Sequence, residues 1–331
     1  MKKTLLIFIL IFSSVYAAFA DMPLDKISSR LVMVGFKASS YDDADLDILK
    51  YQIEKGIIAG VVLYGYNIDS REQTRKLIAE LNAHNHTDIP LLIAVDEEGG
   101  RVQRLTSAKG FHDEQSPQYI SEHYSPEQAE KIYEQMAKDL ADAGFNMNFA
   151  PVVDLNVNPQ SPVIGAIGRS YGADTDTVVK YAEAFIRAHR KFGVLTCLKH
   201  FSGHGSAMTD SHMGFTDVTD TWDKKELEPY KALIKDGYAD MIMTAHVFNA
   251  KIDPKYPATL SKKHMSMLQD IGYNGIIISD DLQMGAINDN FGFDETVKKA
   301  VEAGNDILLF SNYFFYEKRY PEKVRKVLES E

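Results

Sequence analysis

The sequence predicts a single-domain (β/α)8 barrel on the basis of three observations. Eight short runs rich in apolar and β-branched residues alternate with eight longer stretches of amphipathic helical periodicity. Such alternation favours a parallel sheet covered by helices, and eight repeats in about 300 residues are typical of the TIM-type barrel. No Pro-, Gly- or Ser-rich linker divides the 331 residues. The Gly-rich phosphate turn expected of a doubly wound open sheet is also missing from the sequence.

The predicted elements follow one another in strict order along the chain. The strands are expected at 31–36, 60–64, 91–96, 147–154, 194–200, 241–246, 275–280 and 306–310. The helices are expected at 44–55, 71–84, 126–143, 174–192, 224–236, 261–271, 294–303 and 322–328. Ser125 before Pro126 and Glu127 predicts an N-cap, an N1 proline and an acidic first turn, and Ser261 occupies a similar cap position.

Composition narrows the class of protein. Hydrophobic residues make up 45% of the chain and charged residues 25%, which is typical of a globular protein. The net charge of −11 and the lack of a basic run argue against a nucleic-acid partner. A single cysteine, Cys197, cannot form an intramolecular disulfide, and its apolar strand predicts a buried, inert thiol.

The N-terminus has the pattern of a secretory signal peptide at residues 1–20. Lys2 and Lys3 precede an apolar run at 5–12, and an A-x-A site at 18–20 ends before Asp21. The run is short for an uncleaved membrane anchor. We therefore expect an exported catalytic domain at 21–331, periplasmic or secreted, without stable membrane insertion after cleavage.

Ionisable residues stand at the carboxyl ends of five of the eight predicted strands. Barrel enzymes place their active sites at these ends, so the side chains are expected to surround one mouth. The residues are Asp96, Asp154, Lys199, His200, His246, Asp280 and Asp281.

Cleavage of a glycosidic bond needs a carboxylate and a proton donor, and the sequence offers both. Asp280 follows a rigid apolar strand and suits the carboxylate role, whereas Asp281 points away and is expected to cap the next turn. His212 suits the donor role, because Asp210 two residues earlier can bind and orient its imidazole. We therefore predict a sugar site containing Asp280, His212 and Asp210.

The segment K-H-F-S-G-H-G at 199–205, followed by D-S-H at 210–212, resembles the family 3 glycoside hydrolases. The resemblance is to the β-N-acetylglucosaminidases of the NagZ type, and it extends over about residues 31–310. Other matching segments are D-E-E-G-G-R-V at 96–102, N-F-A-P-V-V-D at 148–154 with N-P at 158–159, R-S-Y-G at 169–172, T-A-H at 244–246, P-A-T-L-S at 257–261 and S-D-D-L at 279–282.

The resemblance implies a retaining hydrolase that releases terminal β-linked N-acetylglucosamine from peptidoglycan or chitin fragments. Asp280 would be the nucleophile that forms a covalent glycosyl-enzyme, and His212 the general acid/base paired with Asp210. Neither a metal nor an organic cofactor is implied, and the oligomeric state is left open. The residues implied or considered for sugar binding are Asp96, Arg169, Lys199, His200 and His246. For His246, a buried structural histidine is the alternative.

Two residues depart from the family pattern. Ser202 stands where the family usually has proline, and Ser206 where it usually has aspartate. Because proline would fix φ, we expect Ser202 to alter the mobility of the loop without removing the chemistry.

Several other functions remain open at the level of sequence. A phosphorylase is possible because an imidazole acid/base does not repel phosphate, and a β-glucosidase of the same family is a further alternative. A Schiff-base aldolase would use Lys199 but leaves the Asp210/His212 pair unexplained. A metal-dependent hydrolase would use His200, His204 and Asp280, although no H-E-x-x-H pattern occurs. A non-catalytic sugar-binding protein is the remaining alternative.

Overall fold

The protein was analysed as a computed structural model that describes residues 31–330. The predicted signal peptide at 1–20 lies outside the described residues. Within them, no helix combines the length and apolarity needed to cross a membrane. The ten strands are β1 (Val32–Gly35), β2 (Gly60–Leu63), β3 (Leu92–Val95), β4 (Met147–Asn148), β5 (Leu195–Phe201), β6 (Thr216–Asp217), β7 (Met241–Thr244), β8 (Val247–Phe248), β9 (Ile276–Ile278) and β10 (Leu308–Phe310).

Eight of these strands form a nearly closed parallel barrel, as predicted. Their order is β10-β1-β2-β3-β4-β5-β7-β9. A parallel bridge between Ile278 and Ile307 brings the two outer strands together. The helices are α1 (Asp47–Glu54), α2 (Arg71–Ala83), α3 (Pro117–His123), α4 (Pro126–Ala143), α5 (Thr175–Lys191), α6 (Glu228–Lys235), α7 (Lys262–Asp270), α8 (Gly285–Asn288), α9 (Phe293–Ala303) and α10 (Tyr320–Glu329). The (β/α)8 prediction is confirmed, with α3 and α8 as unpredicted additions.

Strand alternation divides the apolar residues into two layers. In β7, Met241 and Met243 belong to the cluster inside the barrel, whereas Ile242 packs with the helix-facing cluster. Cys197 also lies in the inner cluster and is a free, buried thiol, as predicted. Side chains therefore fill the barrel interior below the mouth, and the space for a ligand is left at the strand ends.

Local signals set several boundaries. The Ser125 hydroxyl accepts a hydrogen bond from the Gln128 amide and forms a capping box at the start of α4, and Ser261 caps α7. The predicted strand at 147–154 is regular only in β4. One reason is that Pro151 has no amide hydrogen to continue the ladder. The chain beyond it keeps a single parallel bridge, between Val152 and Lys199.

A second, two-stranded sheet pairs β6 with β8 above the barrel. β6 follows the loop that contains Asp210 and His212, and β8 follows β7 after two residues. The small sheet therefore fastens the far end of this loop to the rigid barrel. Sequence analysis did not predict it, because two-residue strands have no detectable periodicity.

Candidate active site

The barrel strands end around a pocket of about 320 Å³. Seven of the eight predicted site residues line it, and His246 is the exception. The seven are Asp96, Arg169, Lys199, His200, Asp210, His212 and Asp280. The structure thus brings together groups that lie up to 184 positions apart, since 280 − 96 = 184.

His246 lies behind the pocket and not in its lining. Its side chain is buried, with Nδ1 2.8 Å from Thr259 Oγ1 and Nε2 2.9 Å from the carbonyl oxygen of Asp281. Burial lowers the pKa of His246, and the charge of Asp280 only partly opposes this effect. The position does not support the predicted sugar contact. His246 instead holds the backbone next to Asp280.

Asp280 follows β9 and lines the pocket. Its Oδ1 accepts a hydrogen bond of 2.8 Å from the amide of Asp281. Burial would raise the pKa of Asp280, but the nearby His246, His200 and His212 outweigh it and lower that pKa to about 2. The carboxylate is therefore ionised at any ordinary pH, as a nucleophile requires.

Asp281 also lines the pocket, whereas strand alternation predicted that it would point away from the site. Its Oδ1 accepts hydrogen bonds from the amide of Gln283 at 3.1 Å and from the amide of Ser311 at 3.0 Å. The turn cap predicted for Asp281 is confirmed, and the second bond ties the end of β9 to the end of β10. Burial raises the pKa of Asp281 to about 6.

Asp210 and His212 form a hydrogen-bonded pair at the edge of the pocket. Nδ1 of His212 lies 2.7 Å from Asp210 Oδ1, which also accepts the His212 amide at 2.8 Å. This contact fixes the ring and leaves Nε2 for proton transfer. The His212 side chain is 48% exposed, so it can exchange protons with solvent.

The loop that carries this pair docks on the start of α8. The amide of Gly285 donates to the His212 carbonyl oxygen at 3.3 Å, and the amide of Ala286 donates to that of Ser211 at 3.1 Å. A Cβ atom at Gly285 would lie 3.0 Å from the amide nitrogen of Gly214. Glycine at 285 therefore permits the close approach that positions His212.

Four charged residues, three of them buried, form a network on the floor of the pocket. Lys199 Nζ lies 2.9 Å from Asp96 Oδ1 and 2.6 Å from Glu98 Oε1. Arg169 binds Glu98 through two bonds of 2.7 Å, and Glu98 is 1% exposed. Glu98 thus orients both cations toward the pocket. Through Asp96, Arg169 and Lys199 the network supplies charged hydrogen-bonding groups to the pocket lining.

The pKa values of Lys199 and Glu98 both favour the charged forms. Burial opposes the charge of Lys199, but Asp96 and Glu98 outweigh it and raise the pKa of Lys199. Burial would likewise raise the pKa of Glu98, yet Arg169 and Lys199 hold it well below its ordinary value. An amine must lose its proton before it attacks a carbonyl, so this environment disfavours the Schiff-base aldolase alternative.

Asp154 supports the loop after β5 from below. Its Oδ2 lies 2.7 Å from Nδ1 of His200, and its Oδ1 accepts the amide of His204 at 2.8 Å. His204 in turn lies 3.0 Å from the hydroxyl of Ser211 through Nε2. A Cβ atom at Gly205 would lie 1.8 Å from the carbonyl oxygen of Leu155, so only glycine fits there.

The two departures from the family pattern are both buried. Ser202 Oγ lies 3.0 Å from Nδ1 of His264, and its carbonyl oxygen accepts the Trp222 indole N–H at 2.8 Å. The altered loop mobility expected at Ser202 stays a prediction. Next to Ser206, the Glu226 carboxyl accepts the amide of Gly205 at 3.0 Å, and burial raises the pKa of Glu226 to about 7.

The proposed metal ligands of the alternative hydrolase are engaged in other contacts. His200 faces Asp154 and His204 faces Ser211, as described above. Among residues 31–330, no group of three or more His, Cys, Asp or Glu side chains is arranged to hold a metal ion.

Several residues that line the pocket, and Glu98 behind its lining, were not predicted. Glu98 stands two positions after Asp96, and this spacing places both on one side of an extended chain, a signal that could have identified it. The aromatic lining has no comparable signal, because it comes from loops at distant positions in the chain. It comprises Tyr64, Phe149, Tyr313 and Phe314.

Glu97 is a buried carboxyl that precedes Glu98 of the charged network in the chain. Its Oε2 accepts the amides of Arg104 at 2.7 Å and Leu105 at 3.0 Å, yet burial raises its pKa from 4.5 to about 8. The unfolded chain releases this proton above pH 4.5 and the native chain near pH 8. Stability is therefore expected to fall as pH rises through that window.

Glu97→Gln is expected to remove this pH dependence. The variant should match the wild type near pH 5 and exceed its free energy of unfolding at pH 8 by roughly 1 to 3 kcal/mol. Urea unfolding at both pH values measures the difference. Glu72→Gln, at an exposed position in α2, is the matched control and should leave the pH dependence unchanged. Equal pH profiles for Glu97→Gln and wild type would contradict the assignment.

Comparison with known proteins identifies the family. The family model described as "Glycosyl hydrolase family 3 N terminal domain" matches residues 24–330. The chain belongs to glycosyl hydrolase family 3. This result confirms the resemblance predicted from the sequence motifs, and it places the protein among the glycosidases.

Individual family 3 relatives agree with this assignment. The chain is 35% identical to the "Beta-hexosaminidase" of Tolumonas auensis over 85% of its own length and 82% of the relative. A family 3 beta-N-acetylglucosaminidase from Paenibacillus sp. superposes with a TM-score of 0.83 at 32% identity, covering 93% of this chain and 58% of that one. NagZ from Neisseria gonorrhoeae, solved with N-trifluoroacetyl-D-glucosamine, superposes with a TM-score of 0.76 at 29% identity. The match covers 90% of this chain and 84% of that one. The chain spans 45% of one longer curated relative.

Proposed function

We propose that this family 3 protein is a retaining β-N-acetylglucosaminidase that removes terminal β-linked N-acetylglucosamine. The observation that carries the proposal is the convergence of ionised Asp280 and the Asp210–His212 pair on one pocket. The relatives named beta-hexosaminidase and beta-N-acetylglucosaminidase support this choice of sugar.

In the first step, Asp280 attacks the anomeric carbon as the glycosidic bond breaks. His212 donates a proton from Nε2 to the leaving oxygen, and Asp210 stabilises the imidazolium through Nδ1 before transfer. The product is a glycosyl ester of Asp280 and a free alcohol. The network of Asp96, Lys199 and Arg169 holds the sugar hydroxyls throughout.

In the second step, water attacks the same carbon from the opposite face. Neutral His212 accepts a proton from the water, and the bond between the carbon and Asp280 breaks. Two inversions give net retention of the β configuration. His212 thus begins and ends the cycle protonated, and Asp280 begins and ends it ionised.

We also propose peptidoglycan or chitin fragments as the natural substrate class, and export to the periplasm or the medium through residues 1–20. These proposals rest on the family resemblance and on the signal-peptide pattern. Membrane fractionation of the full chain, with N-terminal sequencing of the mature form, tests export. Cleavage after Ala20 is the expected result, and an intact N-terminus in the cytoplasm would contradict it.

A substrate panel with and without phosphate tests the activity itself. We expect hydrolysis of aryl β-N-acetylglucosaminide at a rate independent of phosphate, much faster than hydrolysis of the matching glucoside. Release of the sugar 1-phosphate would establish the phosphorylase alternative. A faster glucoside reaction would establish the β-glucosidase alternative.

His212→Ala is expected to damage the cleavage of poor leaving groups most. A general acid contributes about 10² to 10⁴ in rate, and an aryl leaving group of low pKa needs little of this help. We therefore expect at least a hundredfold loss in kcat/KM on the disaccharide and a much smaller loss on the activated aryl glycoside. Equal losses on both substrates would contradict the acid role. Thr209→Ala, in the same loop, serves as the control for loop disturbance.

A further inference from the structure

The pocket mouth next to His212 is lined by aromatic side chains from the loop after β10. Tyr313 and Phe314 both line the pocket, and they are 53% and 42% exposed. The Phe314 ring centroid lies 6.4 Å from that of His212. Removing aromatic rings from water is favourable. Exposed rings that line a ligand pocket therefore indicate a surface that a ligand covers when it binds.

This aromatic rim is held in place by its surroundings. The Tyr313 ring lies edge-on to the Phe314 ring at 5.4 Å and also contacts the Tyr64 ring at 5.3 Å. The neighbouring Asn312 donates from its side chain to the carbonyl oxygen of Gly35 at 2.8 Å and accepts the amide of Glu317 at 2.9 Å. The rim is therefore a formed surface that a ligand can use without ordering it first.

The location of His212 decides which part of a substrate meets Phe314. A general acid must reach the oxygen that leaves, so the leaving group departs on the His212 side. In the proposed function, the terminal sugar instead contacts the network around Lys199 and Glu98. A ring beside the proton donor therefore faces the leaving group.

We infer that Phe314, supported by Tyr313, is the platform for the first sugar ring of the leaving group. A pyranose presents a face of C–H groups and an edge of hydroxyls, which suits an aromatic face bordered by the polar groups Asp210 and His212. The substrate class is thereby an N-acetylglucosaminyl oligosaccharide. This inference rests on the proposed function and adds the specificity for its leaving group.

The test compares two substrates that differ only in the leaving group. The disaccharide of β-1,4-linked N-acetylglucosamine carries a second ring, whereas methyl β-N-acetylglucosaminide does not. For Phe314→Ala, the ratio of kcat/KM on the disaccharide to that on the methyl glycoside should fall about three- to tenfold. Phe314→Tyr should retain the wild-type ratio.

Phe315→Ala is the matched control, since Phe315 is 54% exposed in the same loop but does not line the pocket. Its ratio should equal that of the wild type. Equal losses of Phe314→Ala on both substrates would overturn the inference, because the ring would then act only through His212. A wild-type dimer that dissociates in Phe314→Ala during sedimentation, with an unchanged ratio, would also overturn it.

Different outcomes of this experiment refute the proposed function and the Phe314 platform. A wild-type protein that cleaves neither substrate refutes the proposed function itself. A wild-type protein that cleaves both, with an unchanged ratio in Phe314→Ala, refutes the platform alone.

Discussion

Replacing Asp280 by asparagine should reduce kcat on a β-N-acetylglucosaminide by at least about a thousandfold while the barrel stays folded. An amide nitrogen and oxygen fill the same space but cannot form the glycosyl ester. The hydrogen bond from the backbone amide of Asp281 is retained, because the side-chain oxygen of asparagine can accept it. Steady-state kinetics with circular dichroism as the folding check measures the effect.

Replacing Asp280 by glycine tests the nucleophile role in a second way. Asp280→Gly leaves space beside the anomeric carbon, so azide should restore turnover of an activated substrate and yield the α-glycosyl azide. Asp289→Asn is the control, since this residue lies just after α8. Near-normal turnover of Asp280→Asn would instead point to the substrate's own acetamido group as the nucleophile.

Replacing Glu98 by glutamine should lower the free energy of unfolding by about 3 to 5 kcal/mol. The change removes the buried carboxylate that forms ion pairs with both Lys199 and Arg169, so Arg169 loses this ion pair and Lys199 is left with its ion pair to the partly exposed Asp96. Urea unfolding near pH 7 measures the loss. Glu183→Gln removes a partly exposed helical partner of Arg187 and should cost less than about 1 kcal/mol.

The contribution of Glu98 to stability depends on pH with the opposite sign to that of Glu97. Because its pKa is depressed below 4.5 in the native protein, the stabilisation is fully present above pH 4.5 and is lost as pH falls below it. The cost of Glu98→Gln should therefore shrink in acid. A cost that stayed constant down to pH 3 would show that packing, and not charge, makes Glu98 important.

The barrel could be predicted because its periodic signals are local. Apolar strands and amphipathic helices repeat with their own periods, and a strand end also predicts where Asp96, Lys199 and Asp280 meet. The Asp210–His212 contact is likewise local, since its members are two positions apart. Sequence alone was sufficient wherever chain neighbours make the contact.

The remaining features depend on contacts between distant segments. His246 was predicted to stand near a strand end, as Lys199 was, but Thr259 and the backbone of Asp281 cover it, which no spacing in the sequence indicates. Glu98 acquires its importance from Arg169, 71 positions away. Phe314 depends on how the loop after β10 lies against the loop after β5.

In the proposed mechanism, Asp280 forms a covalent bond to the sugar. A 5-fluoro-N-acetylglucosaminyl fluoride slows the second step more than the first, so the glycosyl-enzyme should accumulate. Mass spectrometry of the digested protein should then find one added fluorosugar on the peptide that contains Asp280. An adduct on another residue, or rapid turnover to the α-configured product without any adduct, would contradict the account.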